Sequence, residues 1–215
     1  MRKILPNVLI IIILLIGGCG SDMQQGDGKK RTDTIAFKDD FTRDFIEAAE
    51  EVEEGYYQFR SATNGYTMLF PVNAEIASVS YEKTADAFES FSFGEQVEDE
   101  NLSYYYMITY EDRPITNNIE INLKSLSRYA NYDGDYERFE HDGKTYYYAT
   151  DLFKSEKRDN YKYFAYIKSN NSDKALNYYA SSTCTKVDKE CVANSKEIEQ
   201  RFVMLMKSVD FLDNN

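Results

Sequence analysis

Tryptophan is absent from this 215-residue chain, histidine occurs once, and cysteine and proline occur three times each. The single histidine, His141, stands beside Asp142-Gly143, a turn pair, and reads as a hairpin-tip residue rather than a general base. No G-x-S-x-G elbow, phosphate-binding glycine loop or H-E-x-x-H pair occurs, so no catalytic residue, metal site or cofactor is expected. Positive charge is also scarce: 25 basic residues face 37 acidic ones, a formal net charge of −12. Such a chain repels phosphates, which excludes nucleic acid and basic-patch binding to anionic lipid. No internal repeat is visible. Long apolar runs are missing too, apart from Val8–Ile16, which is too short for a membrane span of roughly 20 residues.

That one run sits in Met1–Cys19, MRKILPNVLIIIILLIGGC. Arg2 and Lys3 start it, and Ile16-Gly17-Gly18 places small residues before a cysteine, the pattern of a secretory leader. Its end resembles a bacterial lipobox, in which cleavage precedes the cysteine and lipid is attached to the sulfur. Residues 1–18 are then signal peptide, and Cys19 the lipidated first residue, with acyl chains such as palmitate holding it at the extracytoplasmic face of the cell membrane. Losing Arg2 and Lys3 takes the formal charge from −12 to −14. Residues 19–38 read as a lipidated cysteine plus flexible linker, in which the polar run Gly20–Thr34 reaches about 20 Å. Residues 39–215 read as one domain. Cys184 and Cys191, with six residues between them, cannot be a C-x-x-C redox pair. In an oxidising compartment they are expected to form a disulfide contributing about 2–3 kcal/mol.

Within the domain, the spacing of Phe41, Phe45, Ala48/Ala49 and Val52 predicts a helix over Asp39–Glu54, ended by Gly55, with Glu47, Glu50, Glu51, Glu53 and Glu54 on a solvated face. Tyr56–Ala62 and Tyr66–Phe70 flank Asn64-Gly65, a tight-hairpin signal, and Pro71 stops the second strand. A turn-rich passage follows. Glu89–Phe93 and Leu102–Tyr110 are strand-like, joined by the acidic stretch Gly94–Asn101. Pro114–Ala130 contains a helix capped by Thr116 or Asn117, with Ile119, Leu123, Leu126 and Ala130 on one face. Tyr136–Glu140 and Thr145–Asp151 form a hairpin around Asp142-Gly143, and Tyr161–Lys168 and Ala175–Ser181 are further strands. Asn194–Ser208 is a final helix opened by Asn194-x-x-Glu197, with Ile198, Phe202, Leu205/Met206 and Val209 inward. Its tail, Val209–Leu212, adds a strand or covers the core. The fold class is α+β, an antiparallel sheet packed with helices.

Two acidic patches, Glu98–Asn101 and Asn131–Glu137, invite a calcium reading. The second lacks the glycine position and closing glutamate of a twelve-residue loop, so solvated turns are expected. Tyrosine is what the chain has in excess: 19, beside 13 phenylalanines. Tyrosine suits recognition surfaces, and the strand positions Tyr104, Tyr106, Tyr146, Tyr148 and Tyr163 are a possible binding face. A run such as Tyr104-Tyr105-Tyr106 must put rings on both faces of a sheet, so the same tyrosines also read as core under helices.

Phe59–Pro71 (FRSATNGYTMLFP) and the helix-plus-strand segment Asn194–Phe211 resemble the start and close of PsbP-like domains. That resemblance implies an α/β/α sandwich, in a class of mostly binding and assembly factors rather than enzymes; the Asp39–Glu54 helix and the Cys184–Cys191 loop lie outside its pattern. The combined expectation is a lipid-anchored, non-catalytic binding or adaptor protein at the envelope, with the membrane and an envelope protein as partners. Alternatives are a small-ligand or glycan-binding lipoprotein, and an envelope-polymer hydrolase built on two facing acids.

Overall fold

A computed structural model describes residues 33–154, 159–184 and 195–213. The leader, Cys19, the linker as far as Thr32, and Cys191 lie outside the described residues. The chain enters through two single helical turns, α1 (Ile35–Lys38) and α2 (Asp40–Arg43). Thr34 and Asp39 cap them by accepting the amides of Phe37 and Thr42. Part of the expected linker packs on the fold: the Thr34 hydroxyl meets the Tyr57 hydroxyl at 2.9 Å, and Ala36 is fully buried.

The expected helix over Asp39–Glu54 does not continue past Arg43. From Phe45 the backbone runs beside β1 (Tyr56–Arg60), with the amide of Glu47 donating to Gln58 and that of Arg60 donating to Phe45. Five glutamates at a helix C-terminus would oppose the dipole. Leaving the helix also lets the Phe45 ring stack on Phe59 at 5.5 Å. Gly55, at φ +84°, then turns the chain into β1.

β1 pairs with β2 (Tyr66–Pro71) as expected, but not through a two-residue turn. Only Asn64 has positive φ, and Ser61 Oγ organises a five-residue connection by accepting the amides of Gly65 and Tyr66. Gly65 serves close approach instead: a Cβ there would lie 2.2 Å from the Tyr110 hydroxyl. Because that ring is packed against Tyr66 and Phe211, Gly65→Ala is expected to cost about 1–3 kcal/mol. Urea unfolding of Gly65→Ala, with and without Tyr110→Leu to open space, checks this.

The passage read as turns supplies two short strands, β3 (Ala74–Ile76) and β4 (Glu82–Thr84). Then come β5 (Phe88–Val97), β6 (Leu102–Asp112), α3 (Ile119–Ala130), β7 (Glu137–His141), β8 (Lys144–Lys154), β9 (Asp159–Ser169) and β10 (Lys174–Cys184). α4 (Ser195–Lys207) and β11 (Asp210–Phe211) close the chain. Asn118, not Thr116 or Asn117, caps α3; those two sit in a 3-10 turn, where the Thr116 hydroxyl donates to the Asp173 carbonyl at 2.6 Å. Asp142 and Gly143 both take positive φ, as a tight β7–β8 turn requires.

The large sheet runs β3-β5-β6-β10-β9-β8-β7 with β4 also on β5, every pairing antiparallel, and it does not close into a barrel. A small sheet, β1-β2-β11, and α4 cover one face. On the other, α3 packs Leu126 and Ala130 over Phe164, Tyr166, Ala149 and Ala175. The architecture is α+β, with helices on both faces of an antiparallel sheet. The α4 stripe is the expected one, with Ile198, Phe202, Leu205 and Met206 buried, and Val209 just past the helix is buried with them.

Candidate functional site

Strand alternation decides the fate of the tyrosines. Tyr104, Tyr106, Tyr146, Tyr148 and Tyr163 share the face under α4 and are only 0–9% exposed. The Phe202 ring meets Tyr104, Tyr106 and Tyr163 at 5.6, 5.5 and 4.8 Å. These five are core, so the expected binding face does not lie there. Burial raises their hydroxyls above the ordinary tyrosine value, Tyr104 to about 12.

Two carboxylates share that buried face with Phe91 and Phe93. Glu95 forms an ion pair with Arg201 of α4, whose guanidinium also lies 4.9 Å from the Tyr104 ring centre and 5.5 Å from that of Tyr56. Burial raises the Glu95 carboxyl, and Arg201 opposes that rise. Among the described residues Glu89 has no ion-pair partner; Lys83, paired with Asp86, favours its charged form without pairing with it. The Ala62 amide and the Tyr81 hydroxyl donate to its Oε1 at 3.0 and 3.1 Å, while Oε2 and the nearby Tyr66 and Tyr110 hydroxyls are buried without a hydrogen-bond partner.

Among the described residues the opposite face is only half covered. α3 lies over β8, β9 and β10, leaving Tyr105 and Met107 of β6 beside it. Tyr105 is 40% exposed, and on α3 Ile121 and Tyr129 are 52% and 50% exposed. Tyr129 meets Tyr179 edge-on at 5.0 Å and 90°, and Tyr105 meets Tyr179 at 6.4 Å. Between helix and sheet is a cavity of about 160 Å³ lined by Met107, Thr109, Ser125, Leu126, Tyr129, Asn177 and Tyr179. Burial, with a hydrogen bond to Tyr105, raises the Tyr129 hydroxyl. The sequence signal for this site was parity: Tyr105 and Tyr179 alternate with the core tyrosines Tyr104, Tyr106 and Tyr178, and only the placement of α3 shows which set stays open.

The acidic patches are surface turns, Glu98–Glu100 in a 3-10 turn and Asp133 and Asp135 exposed. No group of three or more His, Cys, Asp or Glu that could hold a metal ion occurs among the described residues. His141 lies at the β7–β8 tip, 3.1 Å from Asp142. β10 ends at Cys184; Cys191 lies outside the described residues.

With the geometry in place, comparison with known proteins supplies the relationship. The family model described as "Putative lipoprotein YvcA" matches residues 32–210. The chain belongs to that family. A relative of the same description from Bacillus subtilis (strain 168) is 24% identical over 241 residues, covering 99% of this chain and 98% of that protein. A crystal structure from Bacteroides thetaiotaomicron VPI-5482 aligns with a TM-score of 0.43 and 13% identity, over 75% of this chain and 50% of that one. Membership makes this a bacterial, membrane-anchored lipoprotein, in keeping with the leader expected over residues 1–18.

Proposed function

We propose that this lipoprotein, held by lipid on Cys19 at the extracytoplasmic face, binds an envelope protein without catalysis, through the open half of its sheet. The observation that carries the reading is the continuous aromatic surface of Tyr105, Tyr129 and Tyr179 beside Met107, mounted on strands and a helix rather than loops. Rigid, amphipathic rings lose little entropy on binding, which is why tyrosine concentrates at interfaces. The chain's acidity favours a basic partner surface. A Cys184–Cys191 bridge suits the same compartment, and the PsbP-like resemblance points to binding factors too.

Crosslinking of the tagged protein on intact cells, followed by mass spectrometry, tests this. The double variant Tyr105→Ser/Tyr129→Ser is expected to lose at least ten-fold of the captured partner while keeping its melting temperature within about 3 °C. Cys19→Ala is expected to leave the membrane and lose the partner as well. Capture unchanged in the double variant would overturn the reading.

Small-ligand or glycan capture has one observation in its favour, a cavity of about 470 Å³ lined by Ile35, Glu75, Glu95 and Tyr104, among others. Hydrolysis there is disfavoured, because Arg201 holds the Glu95 carboxylate that a two-acid mechanism would need free.

A further inference from the structure

The groove that the proposed function uses has a shape and a polarity of its own. Its cavity, at about 160 Å³, matches the size that accepts one six-membered ring, since about 150 Å³ holds benzene. Tyr129 and Tyr179 stand at 90° to each other on its wall, so an incoming ring can stack on one while meeting the edge of the other. Three polar side chains, Thr109, Ser125 and Asn177, interrupt the apolar lining, and the Thr109 hydroxyl is already paired with that of Ser90 at 3.0 Å. Asn177 lines the cavity from β10, and its Oδ1 is buried without a hydrogen-bond partner. A buried unpaired amide oxygen is unfavourable, and a bound donor recovers that cost. A hydroxyl both donates and accepts, so it satisfies the amide in either orientation. The chain's net charge of −12 favours cations beside the ring.

Resting on the partner-binding reading, we propose that this cavity receives a tyrosine side chain of the envelope partner, its ring against Tyr129 and Tyr179 and its hydroxyl on Asn177, with basic residues flanking it. An aliphatic side chain would leave the amide unpaired, and a phenylalanine would fill the space without satisfying it.

The test titrates three acetylated, amidated tripeptides, Lys-Tyr-Lys, Lys-Phe-Lys and Glu-Tyr-Glu, into the full chain in detergent micelles, followed by NMR. Lys-Tyr-Lys is expected to shift the Asn177 side-chain amide and the Met107 methyl saturably. Lys-Phe-Lys should bind about 3–10-fold more weakly, the worth of one hydrogen bond, and Glu-Tyr-Glu more weakly still. Asn177→Leu should bring the tyrosine and phenylalanine peptides to equal affinity, whereas Tyr129→Ser should weaken both and keep their ratio. Equal affinities in the unaltered protein, shifts elsewhere than the groove, or no saturable shift would each overturn the tyrosine assignment. Partner capture on cells that still depends on Tyr105 and Tyr129 would then leave the broader reading standing. Tyrosine-selective binding with capture indifferent to those residues would remove the broader reading instead.

Discussion

Replacing Arg201 by methionine is expected to destabilise the protein by about 3–5 kcal/mol, the usual consequence of stripping one partner from a buried ion pair. Glu95 is 8% exposed and stands on the core face of β5, in step with Phe91 and Phe93. Arg201 donates to its Oε2 from α4 and, through Nε, to the Tyr106 hydroxyl at 3.5 Å, with the Tyr104 ring against the guanidinium. Burial alone would lower the charge of Arg201, but Tyr106 and Glu95 outweigh it and hold the guanidinium charged. Methionine keeps much of the stem's packing and deletes the charge, so the loss isolates the abandoned carboxylate. Replacing both partners, Arg201→Met with Glu95→Leu, is expected to recover most of the loss, because a well-packed apolar pair is often as stable as the ionic one. Urea midpoints for both singles and the double form a cycle that measures the coupling. A loss below about 1 kcal/mol in Arg201→Met would show that the pair does not bridge α4 to the sheet in solution.

How far the sequence could be read depends on whether a signal is local. The α4 stripe from Ile198 to Val209 and the Asp142-Gly143 turn are local, and they appear where period and turn chemistry put them. The Asp39–Glu54 stretch has helical spacing too, but stacking of Phe45 on Phe59, a contact across fourteen residues, overrides it. Asn64-Gly65 carries a hairpin signal whose glycine answers to Tyr110, 45 positions away. The tyrosines show the limit most plainly. Alternation divides them into two sets without saying which set α3 leaves open, so the expected face and the open face are neighbours in sequence and opposite in space. The even spacing of Glu89, Phe91 and Phe93 was legible as a shared face; that the strand runs on through Gly94–Val97, read as a connection, and that Glu89 and Glu95 go inward with the rings was not.

Glu89→Gln is expected to flatten the decline of stability with rising pH. Glu89 is wholly buried, and burial lifts its carboxyl above the ordinary 4.5, against the Ala62 amide, the Tyr81 hydroxyl and Lys83, which favour the charged form. Lys83 is itself paired with Asp86 at 3.1 Å, and the other titratable neighbours, Tyr66 and Tyr110, are neutral and pushed upward by their own burial. The sign follows from linkage. Below the unfolded value both states hold the proton and the site costs nothing. Between the unfolded and the raised folded value, the unfolded chain releases a proton that the fold retains, so unfolding becomes easier as pH rises, by up to about 1.4 kcal/mol per pH unit. Glutamine keeps the acceptor for Ala62 and Tyr81, adds a donor for the unpaired Tyr66 or Tyr110 hydroxyl, and has no proton to lose. Subtracting the urea-derived stability profile of Glu89→Gln from that of the unaltered protein cancels every other titrating group they share. The difference should be flat in acid, grow in favour of the glutamine form once pH passes about 4.5, and level off above the folded value. A difference that grew in the opposite direction would mean that Glu89 is held ionised in the fold, and that a cation rather than a hydroxyl faces its Oε2.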